Sequence, residues 1–272
     1  MLGTFLKRWY TMNQRKHGDE INKIVDKLRP IDDIFFAKLA ESRLFCQELL
    51  RVILGMPDLE VVEVTPQKSL RNIKGRSVAL DVLCKDVKGI YFNIEVQKED
   101  DDDHQRRVRY NSSNLDTYIS EKGTKFKDLP DVYVVYISDF DLFHNGKTIY
   151  YVDRVLRDVG DILDNGFHEV YVNTQIDDGT DIAGLMQILR SNQLHDDDRY
   201  PVVCGEIRGF KVGRKRENMC KLVEEYAEKR AQEAAKKMIK KGERDYNYIS
   251  DVLEISLEDV NRLADEVMVE VV

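Results

Sequence analysis

The sequence predicts an α/β protein in which a helix, a strand, a β-hairpin, a second helix and a further strand follow one another, with a helical extension at the C-terminus. Three observations support this class. Apolar residues recur at helical spacing in residues 31–54, apolar and polar residues alternate through residues 77–97, and an uninterrupted apolar run lies within residues 131–143. Such a run is typical of a strand that is covered on both faces.

The composition is that of a folded, acidic protein. Hydrophobic residues make up 42% of the chain and charged residues 34%, which favours a globular protein over a disordered one. The net charge of −8 argues against a general nucleic-acid coat protein and requires any DNA-binding surface to be a local patch. We predict a peripheral N-terminal segment (1–30), one main domain (31–210) and a helical C-terminal extension (211–272).

The four cysteines carry no paired-cysteine spacing of the kind that binds zinc. Cys46, Cys84, Cys204 and Cys220 are far apart in the chain, which favours buried free thiols in a reducing cytoplasm. No stretch approaches the roughly 20 apolar residues of a membrane span, so we expect a cytoplasmic protein without a membrane partner.

The first elements are a helix and a strand. The helix is predicted from Ile31 to Gly55, with Asp32 or Asp33 as its N-cap, and the strand covers residues 59–64.

A basic loop is predicted at residues 68–76, directly after this strand. Arg71, Lys74 and Arg76 are candidates for contact with DNA phosphates, and an ordinary solvated loop is an equally good interpretation.

The register of the hairpin follows from its turn. With residues 87–89 as a three-residue loop and Gly89 in the left-handed conformation, Asp86 lies opposite Ile90. Counting back along both strands then pairs Cys84 with Phe92, Val82 with Ile94 and Leu80 with Val96, three apolar pairs on one face.

On the other face of the hairpin, this register places Asp81 opposite Glu95, with Gln97 two residues further on. Two facing carboxylates repel each other unless a positive charge lies between them. Hard oxygen ligands suit Mg²⁺ or Mn²⁺, ions that keep water and phosphate oxygens as further ligands. The alternative from spacing alone is a solvated face that carries ordinary polar residues.

The chain resembles the PD-(D/E)XK nuclease superfamily in four segments: LDVLCKD, YFNIEVQ, RRVRYNSSNLD and KFKDLPDVYVVYISDFDLF. Within the superfamily it is similar to the bacterial family of recombination-promoting nucleases and transposases. The resemblance covers roughly residues 32–174 and implies a restriction-endonuclease-like αβββαβ core with a mixed sheet. It also implies that Asp81 and Glu95 bind the metal ion, and that Gln97 stands where the superfamily has a lysine.

The same resemblance implies further site residues on the two helices. Arg107, Arg109 and Tyr110 match an Arg-x-Arg-Tyr segment that borders the active site, and guanidinium groups suit a phosphoryl transition state. The helix before the sheet often supplies an acid to the metal, and Glu48 is the candidate here. Ordinary surface arginines and a solvated glutamate are the alternatives.

Beyond this core, strands are predicted around residues 148–155 and 168–174, and a helix at residues 181–192. Residues 208–216 form a second basic patch, in which Arg214 and Arg216 are candidates for DNA contact and a solvated loop is the alternative. Residues 217–241 predict a long charged helix, and two short helices follow around Ser256, which is a candidate N-cap. These C-terminal helices could form a homo-oligomer.

Together these features predict a Mg²⁺-dependent DNA endonuclease, with Mn²⁺ as an alternative ion. The competing hypotheses are a catalytically silent DNA-binding relative that keeps the fold, and an interaction protein that oligomerises through its C-terminal helices.

Overall fold

The computed structural model describes residues 18–70, 78–100 and 103–269. It divides into two compact units. The larger unit is Lys27–Gly213, and the smaller one contains residues 18–26 together with residues 214–269. Arg71, Lys74 and Arg76, the DNA-contact candidates of the first basic segment, lie outside the described residues.

The larger unit contains a sheet and the helices that cover it. The first described helix, α1 (18–27), lies in the smaller unit except for its last residue. The elements of the larger unit are α2 (Asp33–Leu39), α3 (Arg43–Leu54), β1 (Val61–Leu70), β2 (Val78–Asp86), β3 (Tyr91–Gln97), α4 (His104–Ile119), β4 (Val132–Ser138), β5 (Ile149–Val152), β6 (Phe167–Asn173), α5 (Asp181–Arg190) and α6 (Pro201–Lys211).

Within the described residues, the six strands form one mixed sheet in the order β1-β2-β3-β4-β6-β5. The strands β1, β2 and β3 are antiparallel neighbours, β3, β4 and β6 are parallel, and β5 is antiparallel to β6. A parallel pair needs a crossover connection, and α4 provides it between β3 and β4. The predicted α/β class with an αβββαβ core and C-terminal helices is confirmed.

The predicted hairpin register is confirmed from the turn as far as Val82 and Ile94. Gly89 has a φ of 86°, and the N–H of Asp86 donates to the carbonyl of Ile90 at 3.0 Å. Cys84 pairs with Phe92, and Val82 pairs with Ile94. The ladder ends at this last pair, before it reaches Asp81 and Glu95. The predicted pairing of Leu80 with Val96 is therefore wrong, and Leu80 packs instead in the apolar cluster that contains Leu115 of α4.

Helix α4 covers the face of the sheet that carries the two acids. Its apolar residues Val108 and Leu115 are buried against clusters from the strands, and Nδ1 of His104 lies 2.8 Å from the hydroxyl of Tyr136 in β4. As a result Glu95 is only 1% exposed. The interpretation of this face as a solvated surface is therefore wrong, because a crossover helix lies on it.

The first predicted helix is in fact two helices. α2 ends at Leu39 and α3 begins at Arg43, with Ser42 as its N-cap, whose hydroxyl accepts the N–H of Phe45 at 3.4 Å. Apolar spacing continues across the break, so the pattern alone did not reveal it. Gly55, with a φ of 63°, ends α3 as expected.

The first strand is longer than predicted. β1 continues to Leu70, so Lys68 is a strand residue and its ammonium group lies 4.6 Å from the centroid of the Tyr118 ring on α4. The first basic segment thus begins within the sheet and not in a loop.

The smaller unit is helical. α7 (Arg216–Lys240), α8 (Tyr246–Leu253) and α9 (Leu257–Val269) enclose a small apolar core that includes Ile239, Ile249 and Leu263. The N–H of Asp259 donates to the hydroxyl of Ser256 at 3.0 Å, the predicted N-cap. None of the helices in the described residues is long and apolar enough to span a membrane.

Candidate active site

Asp81 and Glu95 meet where the pairing of β2 with β3 ends. Oδ2 of Asp81 accepts the backbone N–H of Val96 at 2.8 Å, so a side chain replaces the next step of the ladder. A backbone donor inside a protein needs an acceptor, and here the carboxylate supplies it. This contact fixes Asp81 against the strand that carries Glu95.

Glu95 is held by two asparagines. Its Oε1 accepts from Nδ2 of Asn93 at 2.9 Å and from Nδ2 of Asn111 at 3.2 Å. Its Oε2 is buried and has no hydrogen-bond partner among the described residues, and the same is true of Oδ1 of Asn93. Two buried oxygen acceptors therefore lack a donor in this site, an arrangement that costs free energy unless a cation or a proton satisfies them.

The electrostatics reflect this burial. Burial, and then the negative charge of Asp81, raise the pKa of Glu95 to about 8. Burial also raises the pKa of Asp81, although the Val96 N–H and the Arg107 guanidinium oppose the shift. Near neutral pH the metal-free site thus favours a protonated Glu95.

Gln97 and Arg107 complete the group. Nη1 of Arg107 donates to Oε1 of Gln97 at 3.1 Å, and Nε2 of Gln97 donates to the carbonyl of Glu99 at 3.0 Å. The positive charge of Arg107 opposes the rise in the pKa of both acids. The structure therefore brings together four of the residues that the sequence singled out: Asp81, Glu95, Gln97 and Arg107.

Three residues of this neighbourhood were missed in the sequence: Asn93, Asn111 and Asp33. Asn93 is two residues before Glu95 on the same strand face, and Asn111 is one helical turn after Arg107, so both periodicities could have indicated them. The negative charge of Asp33 raises the pKa of Asp81, which places this acid at the start of α2 near the site. Lys98 forms ion pairs with Asp32 at 3.3 Å and with Asp33 at 3.6 Å.

Glu48 does not join this group, so its prediction as a metal ligand needs correction. Its Oε2 accepts the N–H of Val203 at 2.7 Å and its Oε1 accepts the N–H of Val202 at 3.3 Å. The carboxylate thus satisfies the first N–H groups of α6, where the helix dipole favours a negative charge. The sequence did not reveal this role because α6 is about 150 residues away in the chain.

The remaining DNA-contact candidates on α4 differ in exposure. Arg109 is exposed, whereas Tyr110 is half-buried and packs against the apolar cluster that contains Leu80 and Leu115. Arg109 therefore stays available for a ligand, and the Tyr110 ring belongs in part to the core.

Only the middle of the second basic segment, residues 212–215, is an exposed turn, and both of its ends belong to helices. Its first residues end α6, where Arg208 pairs with Asp196 at 3.3 Å and the buried Lys211 donates to the carbonyl of Asn192. Its last residue, Arg216, begins α7; there Nη1 pairs with Asp26 at 2.8 Å and Nε donates to Oδ1 of Asn22 at 3.0 Å.

Of the two candidates in this segment, only Arg214 is exposed, whereas Arg216 is half-buried and bound within the smaller unit. The guanidinium of Arg216 is therefore engaged by protein oxygens, and the prediction that it contacts DNA is not supported by its placement.

The donor set fits a divalent cation. The described residues contain no cluster of three or more His, Cys, Asp or Glu side chains that could hold a metal ion. Asp81 and Glu95 are two hard oxygen ligands, and the buried Oε2 of Glu95 lacks a donor. Mg²⁺ is commonly bound by one or two carboxylates, with water and phosphate as its other ligands, so two acids suffice.

The chain matches a known protein family by sequence. The sequence model for the PD-(D/E)XK nuclease family transposase matches residues 35–175, which is more than half of the chain. The chain belongs to this family. Asp81, Glu95, Gln97 and Arg107 all lie within the matched region, whereas Arg214 and Arg216 lie beyond it. Neither the curated proteins nor the solved structures contain a significant match.

Membership of the PD-(D/E)XK family supports a function of the nuclease or transposase type. Nucleases of this class generally use divalent metal ions, and the family implies DNA as the substrate.

Proposed function

We propose that the protein is a divalent-metal-dependent DNA endonuclease that hydrolyses phosphodiester bonds, with Mg²⁺ as the preferred ion, Mn²⁺ as a substitute and the cytoplasm as its location. The observation that carries the proposal is the buried Oε2 of Glu95. It has no hydrogen-bond partner in the described part of the chain, and it belongs to an acid whose pKa is raised by burial and by Asp81. A cation bound to Oε2 would give this oxygen a partner and would offset the unfavourable negative charge of the buried carboxylate.

Asp81 and Glu95 would hold the ion, and Asn93 and Asn111 orient Glu95 through its other oxygen. When bound, the ion would neutralise charge on the scissile phosphate and lower the pKa of the attacking water. The asparagines act as the supporting contacts that metal-binding carboxylates generally require.

Arg107 takes over the positive charge that the superfamily lysine provides. Gln97 carries no charge, but its Oε1 accepts from Nη1 of Arg107 and thereby aims the guanidinium at the site. A guanidinium in this position can bind a phosphate oxygen and stabilise the charge that develops during hydrolysis. Gln97 is therefore a positioning residue for Arg107. Separately, the backbone carbonyl of Val96 is a further candidate ligand for the metal ion.

The test is cleavage of supercoiled plasmid by the purified full chain with Mg²⁺, with Mn²⁺ or with EDTA. We expect nicked or linear product with either metal and none with EDTA. Asp81→Asn and Glu95→Gln should each abolish cleavage. Asp116→Asn, which removes an exposed acid on α4, is the control and should cleave normally.

Two outcomes would contradict the proposal. Equal cleavage by wild type and both acid variants would place the chemistry elsewhere or in a contaminant. DNA binding without cleavage under all metal conditions would instead assign the chain to the non-cleaving relatives.

A further inference from the structure

The last two residues of β5 and the segment that connects β5 to β6 form an ordered arm on the surface, which we define as residues 151–165. The N–H of Leu156 donates to the carbonyl of Asp161 at 2.8 Å, and the N–H of Leu163 donates to the carbonyl of Arg154 at 2.7 Å. Val155 and Ile162 form a β-bridge between these two bonds. Gly160 closes the turn with a φ of 81°. The arm is thus a short hairpin with a defined backbone.

Every residue of the arm is exposed, although many are large and apolar. The exposed fractions of the apolar members run from 39% for Val152 to 66% for Val159; these members are Tyr151, Val152, Val155, Leu156, Val159, Ile162 and Leu163. Single exposed apolar residues need no explanation, whereas seven within 15 consecutive residues are typical of a surface that binds a partner.

The two faces of the hairpin are apolar alike. Val155 and Ile162 are bridge partners and share one face, while Leu156 and Leu163 lie next to them on the other. Both faces are open to solvent, so the arm is not folded onto the core of its own unit.

We propose that the arm binds the arm of a second copy of this chain and forms a symmetric dimer. The seven apolar side chains leave on the order of 600 Å² exposed on each copy, close to the roughly 800 Å² per partner of a stable protein interface. In a twofold contact each copy supplies the same surface, so one patch covers the other.

The charged residues of the arm also favour a second copy of this chain as the binding partner. Arg157, Asp158 and Asp161 lie at the hairpin turn, and none of them forms an ion pair within the described residues. A twofold contact can bring Arg157 of one copy to the acids of the other. DNA is a poor occupant, because the arm contains four aspartates and only two arginines.

The two edge strands of the sheet also support self-association through the arm. β1 is an edge strand that is protected against pairing by Pro66, by a bulge between Val61 and Glu63, and by the charges along it. β5 is the other edge strand, with the sequence IYYV and neither proline nor charge. The arm continues directly from this unprotected edge.

The experiment is sedimentation of the full chain over a wide range of concentration, without DNA or metal. We expect a reversible dimer. Val159→Ser combined with Ile162→Ser should raise the dissociation constant at least about tenfold. Val87→Ser and Phe126→Ser are the controls, because they remove exposed apolar side chains outside the arm. Melting temperatures verify that all variants fold.

A charge exchange tests the specific contact. Arg157→Glu, and the double variant Asp158→Arg with Asp161→Arg, should each dimerise more weakly, and an equimolar mixture of the two should recover the dimer. A wild type that stays monomeric at every concentration would overturn the proposal. So would a dimer that all arm variants retain, which would favour contact through the C-terminal helices.

Discussion

The carboxylate of Asp81 accepts the backbone N–H of Val96 at 2.8 Å, although the two residues belong to different strands. Val96 directly follows Glu95, so the backbone of one acid's strand holds the other acid in place. The separation of the acids is therefore set by the sheet and not by flexible side chains. Pre-positioned ligands of this kind lose little entropy when they bind an ion.

Stability of the metal-free protein should depend on pH through Glu95. Its pKa is raised from 4.5 to about 8, so over this window the folded state keeps a proton that the unfolded state releases. The contribution of Glu95 to stability should therefore be full below about pH 4.5, decline by on the order of 5 kcal/mol as the pH rises to about 8, and then level off.

Denaturation by urea in EDTA, at several pH values, measures this dependence. Glu95→Gln is the comparison, since it removes the titrating group and should abolish most of the decline. If wild type and Glu95→Gln show parallel curves between pH 5 and pH 8, the raised pKa is wrong.

Asn111→Ala should weaken the site without unfolding it. The change removes one of the two N–H donors to Oε1 of Glu95, so metal affinity and cleavage should fall roughly 10- to 100-fold. Calorimetric titration with Mn²⁺ and a nicking assay measure the two effects. Ser113→Ala on the same helix is the control, because its hydroxyl bonds only the carbonyl of Arg109. Equal affinity in both variants would remove Asn111 from the site.

Arg107→Gln should reduce the rate of cleavage more than the affinity for DNA. Loss of a guanidinium that faces a phosphoryl transition state costs roughly 10²- to 10³-fold in rate. Because Arg107 lowers the pKa of both acids, the pH profile of cleavage should also move to higher pH. Arg106→Gln is the neighbouring control, as its side chain is 78% exposed and pairs with Asp103. A purely proportional loss of binding and cleavage would argue for simple phosphate anchoring.

Glu48→Gln should lower stability and leave the chemistry intact. The carboxylate accepts two N–H groups at the start of α6, and its loss should cost about 1–2 kcal/mol in the free energy of unfolding. The cleavage rate of the folded variant should match wild type. Loss of cleavage at full stability would restore Glu48 as a metal ligand.

Arg214→Ala and Arg216→Ala should separate DNA contact from folding. Arg214 is exposed, so its removal should make the dependence of log affinity on log salt shallower by up to about one unit. Arg216 is bound to Asn22 and Asp26, so its removal should lower the melting temperature of the smaller unit instead. Binding titrations at several salt concentrations, together with melting curves, distinguish the two.

The register of the hairpin near its turn could be predicted because side chains in a strand alternate between the two faces of the sheet. A shift of one residue would have moved Asp81 or Glu95 to the apolar face, so the pairing of Val82 with Ile94 followed from the pattern. The burial of Glu95 could not be predicted in this way. It depends on Asn111 and on α4, which reach the strand only after the crossover has folded back.

Charged residues were the least predictable part. Glu48 was predicted to bind the metal ion and Arg216 to bind DNA. Both instead bind protein groups that are distant in sequence. A carboxylate or guanidinium can satisfy a helix end or an ion pair as well as a metal or phosphate, and the sequence around it looks the same. A further acid near Asp81 is Asp33, at the start of α2, and from the sequence it was predicted only as a candidate helix cap.

The two asparagines on Glu95 have one more consequence. Because both donate to Oε1, a proton on this carboxyl group must lie on Oε2, the same atom that would face a cation. A proton and a metal ion would therefore compete for the same oxygen. Below about pH 8, where Glu95 keeps its proton, a cation that binds Oε2 would displace that proton into the solvent, so acidification alone would weaken metal binding without any movement of the chain.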